Sequence, residues 1–97
     1  LTFGNVTLNT ATGVLSHEKD SVRLSGREFQ LMELFLGSPG LVLSADQIME
    51  RIWGIDFEGE SRTLDMHIKT LRKKLGEAGS MIKTVRNVGY IMSDKEN

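Results

Sequence analysis

The chain contains no cysteine, which excludes a disulfide framework and a thiolate zinc site; the absence fits a reducing cytoplasm. No apolar run approaches the length of a membrane span, and no secretory signal is visible. Histidine is scarce: His17 and His67 fall on different expected elements. There is no Gly-x-Ser-x-Gly, no glycine loop to cradle a phosphate, and no pair of carboxylates in an obvious apolar pocket. Catalysis therefore has no visible machinery. Internal repeats, low-complexity tracts and long linkers are missing too. What remains is 97 residues, 39% apolar and 26% charged, which suits one compact domain with a modest core. The chain opens on Leu1 without a methionine, and the expectation is a fragment of a longer protein whose missing part lies N-terminal.

Charge of either sign is nearly balanced, at −1 overall, but it is not evenly spread. Residues 1–60 carry nine acidic side chains against four basic ones, a net of −5. Residues 61–86 carry Arg62, Lys69, Arg72, Lys73, Lys74, Lys83 and Arg86 against Asp65 and Glu77, a net of +5. A polyanion responds to the local field rather than to the total. On charge alone, a solvated polar helix face beside an acidic surface is an equal alternative.

The N-terminal part reads as short strands. Leu1–Phe3, Val6–Leu8, Gly13–His17 and Val22–Leu24 alternate apolar and polar residues, with turn chemistry at Asn9–Gly13 and Lys19–Ser21. Short strands and short turns imply a small antiparallel sheet, with Val6, Leu8, Val14 and Leu24 facing inward. Ser25-Gly-Arg-Glu28 has capping-box spacing and opens a helix from about Gly26 to Leu36. Phe29, Leu31, Met32, Leu34, Phe35 and Leu36 give it a wide apolar stripe, and Gly37-Ser-Pro-Gly40 stops it. A second box, Ser44-Ala-Asp-Gln47, opens a helix carrying Ile48, Met49, Ile52 and Trp53 at helical spacing and ending at Gly54. Ile55–Glu60 is then a short acidic loop.

The third helix spans about residues 61–75. At about 100° per residue, Leu64, Ile68, Leu71 and Leu75 form one inward stripe. Arg62, Met66, Lys69, Thr70 and Lys73 lie opposite, flanked by Arg72 and Lys74. Asp65 sits at one edge of that face, Thr63 and His67 at the other. A DNA major groove about 12 Å wide admits one such helix. Lysine and arginine release condensed counterions when they meet phosphates, and Thr63 near the helix start can donate to a phosphate. Asp65 and Thr70 can read base edges: a carboxylate accepts from a cytosine amino group, and threonine is tolerant or touches a thymine methyl. Met66 points outward, either toward base methyls or under a neighbouring helix.

The hairpin that follows, over residues 81–93, strengthens this reading. In Lys83-Thr-Val-Arg-Asn-Val-Gly-Tyr90, Asn87 and Gly89 are the turn formers, since both tolerate positive φ. Arg86 then stands at or near the tip, where it can enter a narrow minor groove of enhanced negative potential. The alternative is a ribbon that only covers the core, as Tyr90 and Ile91 do in either case. A module for protein–protein contact would need an exposed apolar patch where Arg62, Lys69, Lys73 and Arg86 stand. RNA fits less well, because its major groove is deep and narrow.

These segments, in order and spacing, resemble the winged-helix effector domain of bacterial response regulators of the OmpR/PhoB type. The resemblance runs through Leu24–Leu34, Gly40–Ser44, Arg51–Gly54, Ser61–Ile68, Leu71–Gly76 and Thr84–Tyr90, and so covers essentially the whole chain. It implies an α+β winged helix-turn-helix. Residues 1–24 would be a four-stranded antiparallel platform and 25–76 a three-helix core with recognition helix; a C-terminal β-hairpin would be the wing. It implies a receiver domain upstream, phosphorylated on aspartate by a sensor kinase, and head-to-tail dimers on tandem direct repeats of double-stranded DNA. Trp53, Arg62, Thr63, His67, Lys69 and Arg72 match positions that touch the sugar–phosphate backbone, Asp65 and Thr70 positions that touch bases, and Arg86 the wing arginine. Lys73 and Asn87 join the expected DNA-contacting set. Ile55, Asp56, Phe57, Glu58, Gly59 and Glu60 match a segment that contacts RNA polymerase. No cofactor is expected. For Trp53 a core role competes with the phosphate role, and His67 reads equally as a capped surface residue. Three positions depart from the family pattern: Thr70 where some members carry a long basic residue, Asn87 where glycine is usual, and Ser25-Gly26 where the first helix usually opens on Thr-Pro.

Overall fold

The computed structural model describes residues 1–24, 26–54 and 61–93. Strands β1 (Thr2–Phe3), β2 (Val6–Asn9), β3 (Val14–His17) and β4 (Asp20–Arg23) form a four-stranded antiparallel sheet in chain order. Helices α1 (Gly26–Gly37), α2 (Ala45–Trp53) and α3 (Ser61–Leu75) follow, with strand β5 (Val42–Ser44) between the first two. A 3-10 turn at Gly76–Met81 leads into the hairpin of β6 (Ile82–Val85) and β7 (Gly89–Met92). The platform, the three helices and the C-terminal hairpin are thus where the sequence places them.

Side chains alternate across a sheet. Val6 and Leu8 of β2 face the helices and are fully buried, as is Leu24 just past β4. The sequence reading puts Val14 in this set. The structure leaves Val14 half-buried and buries Leu15, which pairs with Leu8, in its place. The turn decides the phase. Asn9 Oδ1 accepts from the amides of Ala11 (2.9 Å) and Thr12 (3.2 Å), and the Gly13 amide donates to the Asn9 carbonyl at 2.8 Å. Val14 is thereby paired with exposed Asn9 and shares its outward face. In an element of period two, one residue of phase exchanges the faces.

Helix α1 buries Leu31, Met32, Phe35 and Leu36, with Phe29 and Leu34 half-buried beside them. Its expected capping box lies partly outside the described residues, at Ser25. Glu28, the other half of that box, accepts from Lys74 Nζ at 2.9 Å and ties α1 to α3. In α2 the box is complete: the Gln47 amide donates to Ser44 Oγ at 3.1 Å and the Ser44 amide to Gln47 Oε1 at 2.8 Å. The inward stripe of α3 is as expected, with Leu64, Ile68, Leu71 and Leu75 all buried.

Strand β5 is not anticipated by the sequence, because three residues cannot display a period. It pairs with β7, so the hairpin forms two strands of a three-stranded sheet ordered β5-β7-β6. The Ala45 amide extends this ladder to the Val88 carbonyl at 2.9 Å. Ser44 therefore ends β5 and caps α2 at once, and the wing is anchored to the start of α2. This close fit explains Gly89, which the sequence reading treats as a turn former. Positive φ belongs instead to Asn87, at 64°. Gly89 lies in β7, where an added Cβ would overlap the Leu43 carbonyl oxygen and stand 2.8 Å from Ser44 Cα. Here glycine is required by backbone approach, not by dihedral freedom.

Candidate nucleic-acid interface

The outward face of α3 carries Arg62, Asp65, Met66, Lys69, Thr70 and Lys73, all exposed, with Thr63, His67 and Arg72 half-buried at its margins. Met66 is 64% exposed, so no neighbouring helix covers it. Thr70 Oγ1 donates to the Met66 carbonyl at 3.0 Å. That bond uses the hydroxyl proton and leaves its oxygen and methyl outward. At the wing tip, the Val88 amide closes the turn onto the Val85 carbonyl at 3.0 Å, and Arg86 and Asn87 project into solvent. The left-handed φ of Asn87 at the third turn position is the sign that a type II turn requires.

The basic side chains of this region divide by what they touch. Arg72 donates to the Ile82 carbonyl through Nε (2.9 Å) and Nη2 (2.6 Å), and to Thr84 Oγ1 at 2.9 Å. Its guanidinium carbon also lies 5.5 Å from the centre of the Tyr90 ring. Arg72 thus clamps α3 to the hairpin. Lys74 is paired with Glu28 and Lys83 Nζ donates to the Ser80 carbonyl at 2.9 Å. Among the described residues, Lys69, Lys73 and Arg86 have no hydrogen bond or ion pair, and all three point away from the core.

A second tie joins helix and wing. Tyr90 is buried, and its hydroxyl donates to Asp65 Oδ1 at 2.5 Å. Burial pushes the Tyr90 ionisation up, the hydrogen bond and charge of Asp65 add to the effect, and Arg72 opposes it; the result is about 12. A cleft lined by Ala45, Asp65, Thr84, Val85, Asn87 and Tyr90, among others, runs between α3 and the wing. Asp65, Thr70, Lys69, Lys73 and Arg86 are therefore carried on two elements held in fixed relation.

Trp53 and His67 form a separate edge. Their ring centres are 5.3 Å apart with planes tilted by 53°. The Arg27 guanidinium lies 5.2 Å from the Trp53 ring and donates to the Ile52 carbonyl at 3.0 Å. Trp53 is half-buried against the core, and His67 rests on it. The loop Ile55–Glu60 lies outside the described residues. Sequence reasoning gave no site role to Tyr90, Arg27 or Thr84. For Tyr90 the signal was present: a buried tyrosine hydroxyl needs a partner, and Asp65 stands on the edge of the facing helix. Among the described residues there is no cluster of histidine and carboxylate that could hold a metal ion, and no helix is long and apolar enough to cross a membrane.

Comparison with known proteins matches residues 18–92 to the family described as "Transcriptional regulatory protein, C terminal". The heme response regulator HssR of Staphylococcus saprophyticus is 42% identical over 96 residues, covering 97% of this chain and 43% of its own length. The Staphylococcus haemolyticus protein of the same name is 46% identical over 90 residues, covering 91% and 40%. The chain thus spans about two fifths of the length of these curated relatives. Among solved structures, the C-terminal domain of the nisin resistance regulator NsrR superposes with a TM-score of 0.84 at 35% identity, covering 99% of this chain and 98% of that one. The Klebsiella pneumoniae RstA DNA-binding domain, in complex with the RstA box, gives 0.82 at 29% identity, covering 96% and 95%. The AdeR DNA-binding domain, in complex with an intercistronic region, gives 0.83 at 27%, covering 98% and 100%. With this family matched over residues 18–92, most of the chain, the chain belongs to the C-terminal transcriptional regulatory proteins: it is a winged-helix effector domain of the OmpR/PhoB response-regulator type, a transcription-regulating module and not an enzyme.

Proposed function

We propose that this domain binds double-stranded DNA in a sequence-specific manner, with α3 in the major groove and the wing in the adjacent minor groove. The observation that carries the reading is the set of cations Lys69, Lys73 and Arg86, which have no hydrogen bond or ion pair among the described residues and are displayed on a helix and a hairpin that Arg72 and Tyr90 clamp together. A free cation on a solvated surface is ordinary. Three of them on two elements that are tied together make a basic surface that a polyanion can meet at several points at once. The DNA complexes formed by the similar RstA and AdeR domains support the same reading.

Lys69, Lys73, Arg62 and Thr63 meet the sugar–phosphate backbone and fix register, with Trp53 and His67 at the edge of the same face. Asp65 and Thr70 face the bases. Arg86, with Asn87 shaping the turn, enters the minor groove. Arg72 is committed to Ile82 and Thr84 and contributes chiefly by holding the wing. In the whole protein, an upstream receiver phosphorylated by a sensor kinase controls dimerisation on tandem direct repeats, and Ile55–Glu60 contacts RNA polymerase in the cytoplasm.

Selection from a randomised duplex pool at two salt concentrations tests the core of this proposal. Enrichment of one short motif, with binding that weakens as salt rises, supports it. Loss of Lys69 (Lys69→Ala) lowers the slope of log affinity against log salt by about 0.9, the value for one phosphate contact on duplex DNA. Absence of binding at either salt concentration refutes the proposal and favours a protein-contact module.

A further inference from the structure

We infer that Tyr90 is a positioning residue for base readout: its hydroxyl holds the Asp65 carboxylate in one orientation at the mouth of the cleft between α3 and the wing. The inference rests on the proposal that Asp65 faces a base. Asp65 is exposed on α3, where an unattached carboxylate would rotate among several staggered positions. The Tyr90 hydroxyl removes that freedom. It meets Oδ1 at 2.5 Å, in the short range of a bond to an ionised acceptor. The mount is rigid: the ring is 7% exposed, and Arg72, itself fixed to Ile82 and Thr84, lies against it. The ionisation of Tyr90, pushed up to about 12, keeps the hydroxyl a donor near neutral pH.

With Oδ1 engaged, Oδ2 has no hydrogen bond among the described residues. A carboxylate oxygen only accepts. Held in place, it selects a base that offers an amino group, most simply cytosine N4, and repels a carbonyl at the same position. Three chains are compared in the duplex selection: the parent domain, Tyr90→Phe and Asp65→Asn. Tyr90→Phe keeps the ring in the core and removes only the donor. It should reduce discrimination at one base position by about three- to tenfold, more than at any other position. Asp65→Asn gives the stronger test, since the substitution lies on the surface. An asparagine held by the Tyr90 hydroxyl must accept through Oδ1 and present its amide N–H groups outward. Preference at the same position should then move away from cytosine to a base offering an acceptor there: guanine, thymine or, through N7, adenine. A position that flattens in Asp65→Asn but stays sharp in Tyr90→Phe shows that Asp65 reads a base without help, and overturns the inference alone. No change at any position in Asp65→Asn overturns the assignment of Asp65 itself. A uniform loss at every position in Tyr90→Phe shows a displaced wing and also overturns the inference.

Discussion

Tyr90 is the sole tyrosine of the chain, so the ultraviolet absorbance of tyrosinate reports on one hydroxyl. In the folded domain its ionisation is pushed up from 10.0 to about 12, first by burial and then by the hydrogen bond and charge of Asp65. In the unfolded chain it returns to about 10. The folded value lies above the unfolded one, so the linked stability is fully present below pH 10. It drains away as pH rises through the window from about 10 to about 12. At 1.36 kcal/mol per unit, the shift sets an upper bound of about 2–3 kcal/mol on the stability lost across that window, reduced by solvent screening at the hydroxyl. Asp65→Asn removes the charge and retains the burial, so its tyrosinate should appear between the unfolded and parent values, and its stability should fall less in alkali. The assay is an absorbance titration followed together with far-ultraviolet circular dichroism, supplemented by urea midpoints at about pH 8 and about pH 11. In the parent domain, tyrosinate should emerge either above the ordinary tyrosine range or in one cooperative step with loss of helix. Tyrosinate appearing near pH 10 while the helical signal stays intact would refute the bond, as would superimposable curves for the two proteins.

Other consequences are simpler to test. Arg86→Ala should weaken binding to a selected duplex by about tenfold, the scale of one charge-assisted contact, with an unchanged urea midpoint because the side chain is exposed and unpartnered; unaltered affinity by fluorescence anisotropy removes the wing from the mechanism. Ile68→Ala, at a fully buried position of α3, should cost about 2–5 kcal/mol in urea unfolding, and a loss below about 1 kcal/mol means the site is not close-packed. Gly89→Ala forces a methyl against the Leu43 carbonyl and Ser44 Cα; it should cost at least about 1–3 kcal/mol and speed amide exchange at Ala45. Unchanged exchange there would show that β5 and β7 are not joined as described.

The fold was legible where a period repeats and illegible where it does not. The stripe Leu64–Ile68–Leu71–Leu75 runs through about three turns and can be read directly. The Ser44–Gln47 box is a local motif whose two bonds close within three residues. Strand β5 has three residues, and its partner lies in β7 more than forty positions away; no local pattern encodes that pairing. Val14 failed for a related reason. Both Val14 and Leu15 are apolar, so alternation alone could not choose between them, and the Asn9–Gly13 turn made the choice. Gly89 shows the same limit, because its reason is the approach of a strand that the sequence did not reveal.

The site was legible as charge but not as chemistry. Residues 61–86 hold seven basic side chains, and composition treats them alike. The structure separates six of them by what each bond does to the field. Lys74 meets the carboxylate of Glu28 and is neutralised. Arg72 and Lys83 bind carbonyl oxygens, which fixes their positions and leaves their charge in place. Lys69, Lys73 and Arg86 keep both charge and freedom. Each of these three can lose hydration and counterions to a phosphate without first breaking a bond among the described residues, so each should contribute to the salt dependence of binding. Arg72 illustrates the point most clearly. Its charge contributes to the potential that attracts DNA, while its three hydrogen bonds hold the hairpin that carries Arg86. Replacing it would therefore mix an electrostatic loss with a geometric one, whereas substitutions at Lys69, Lys73 and Arg86 separate the two.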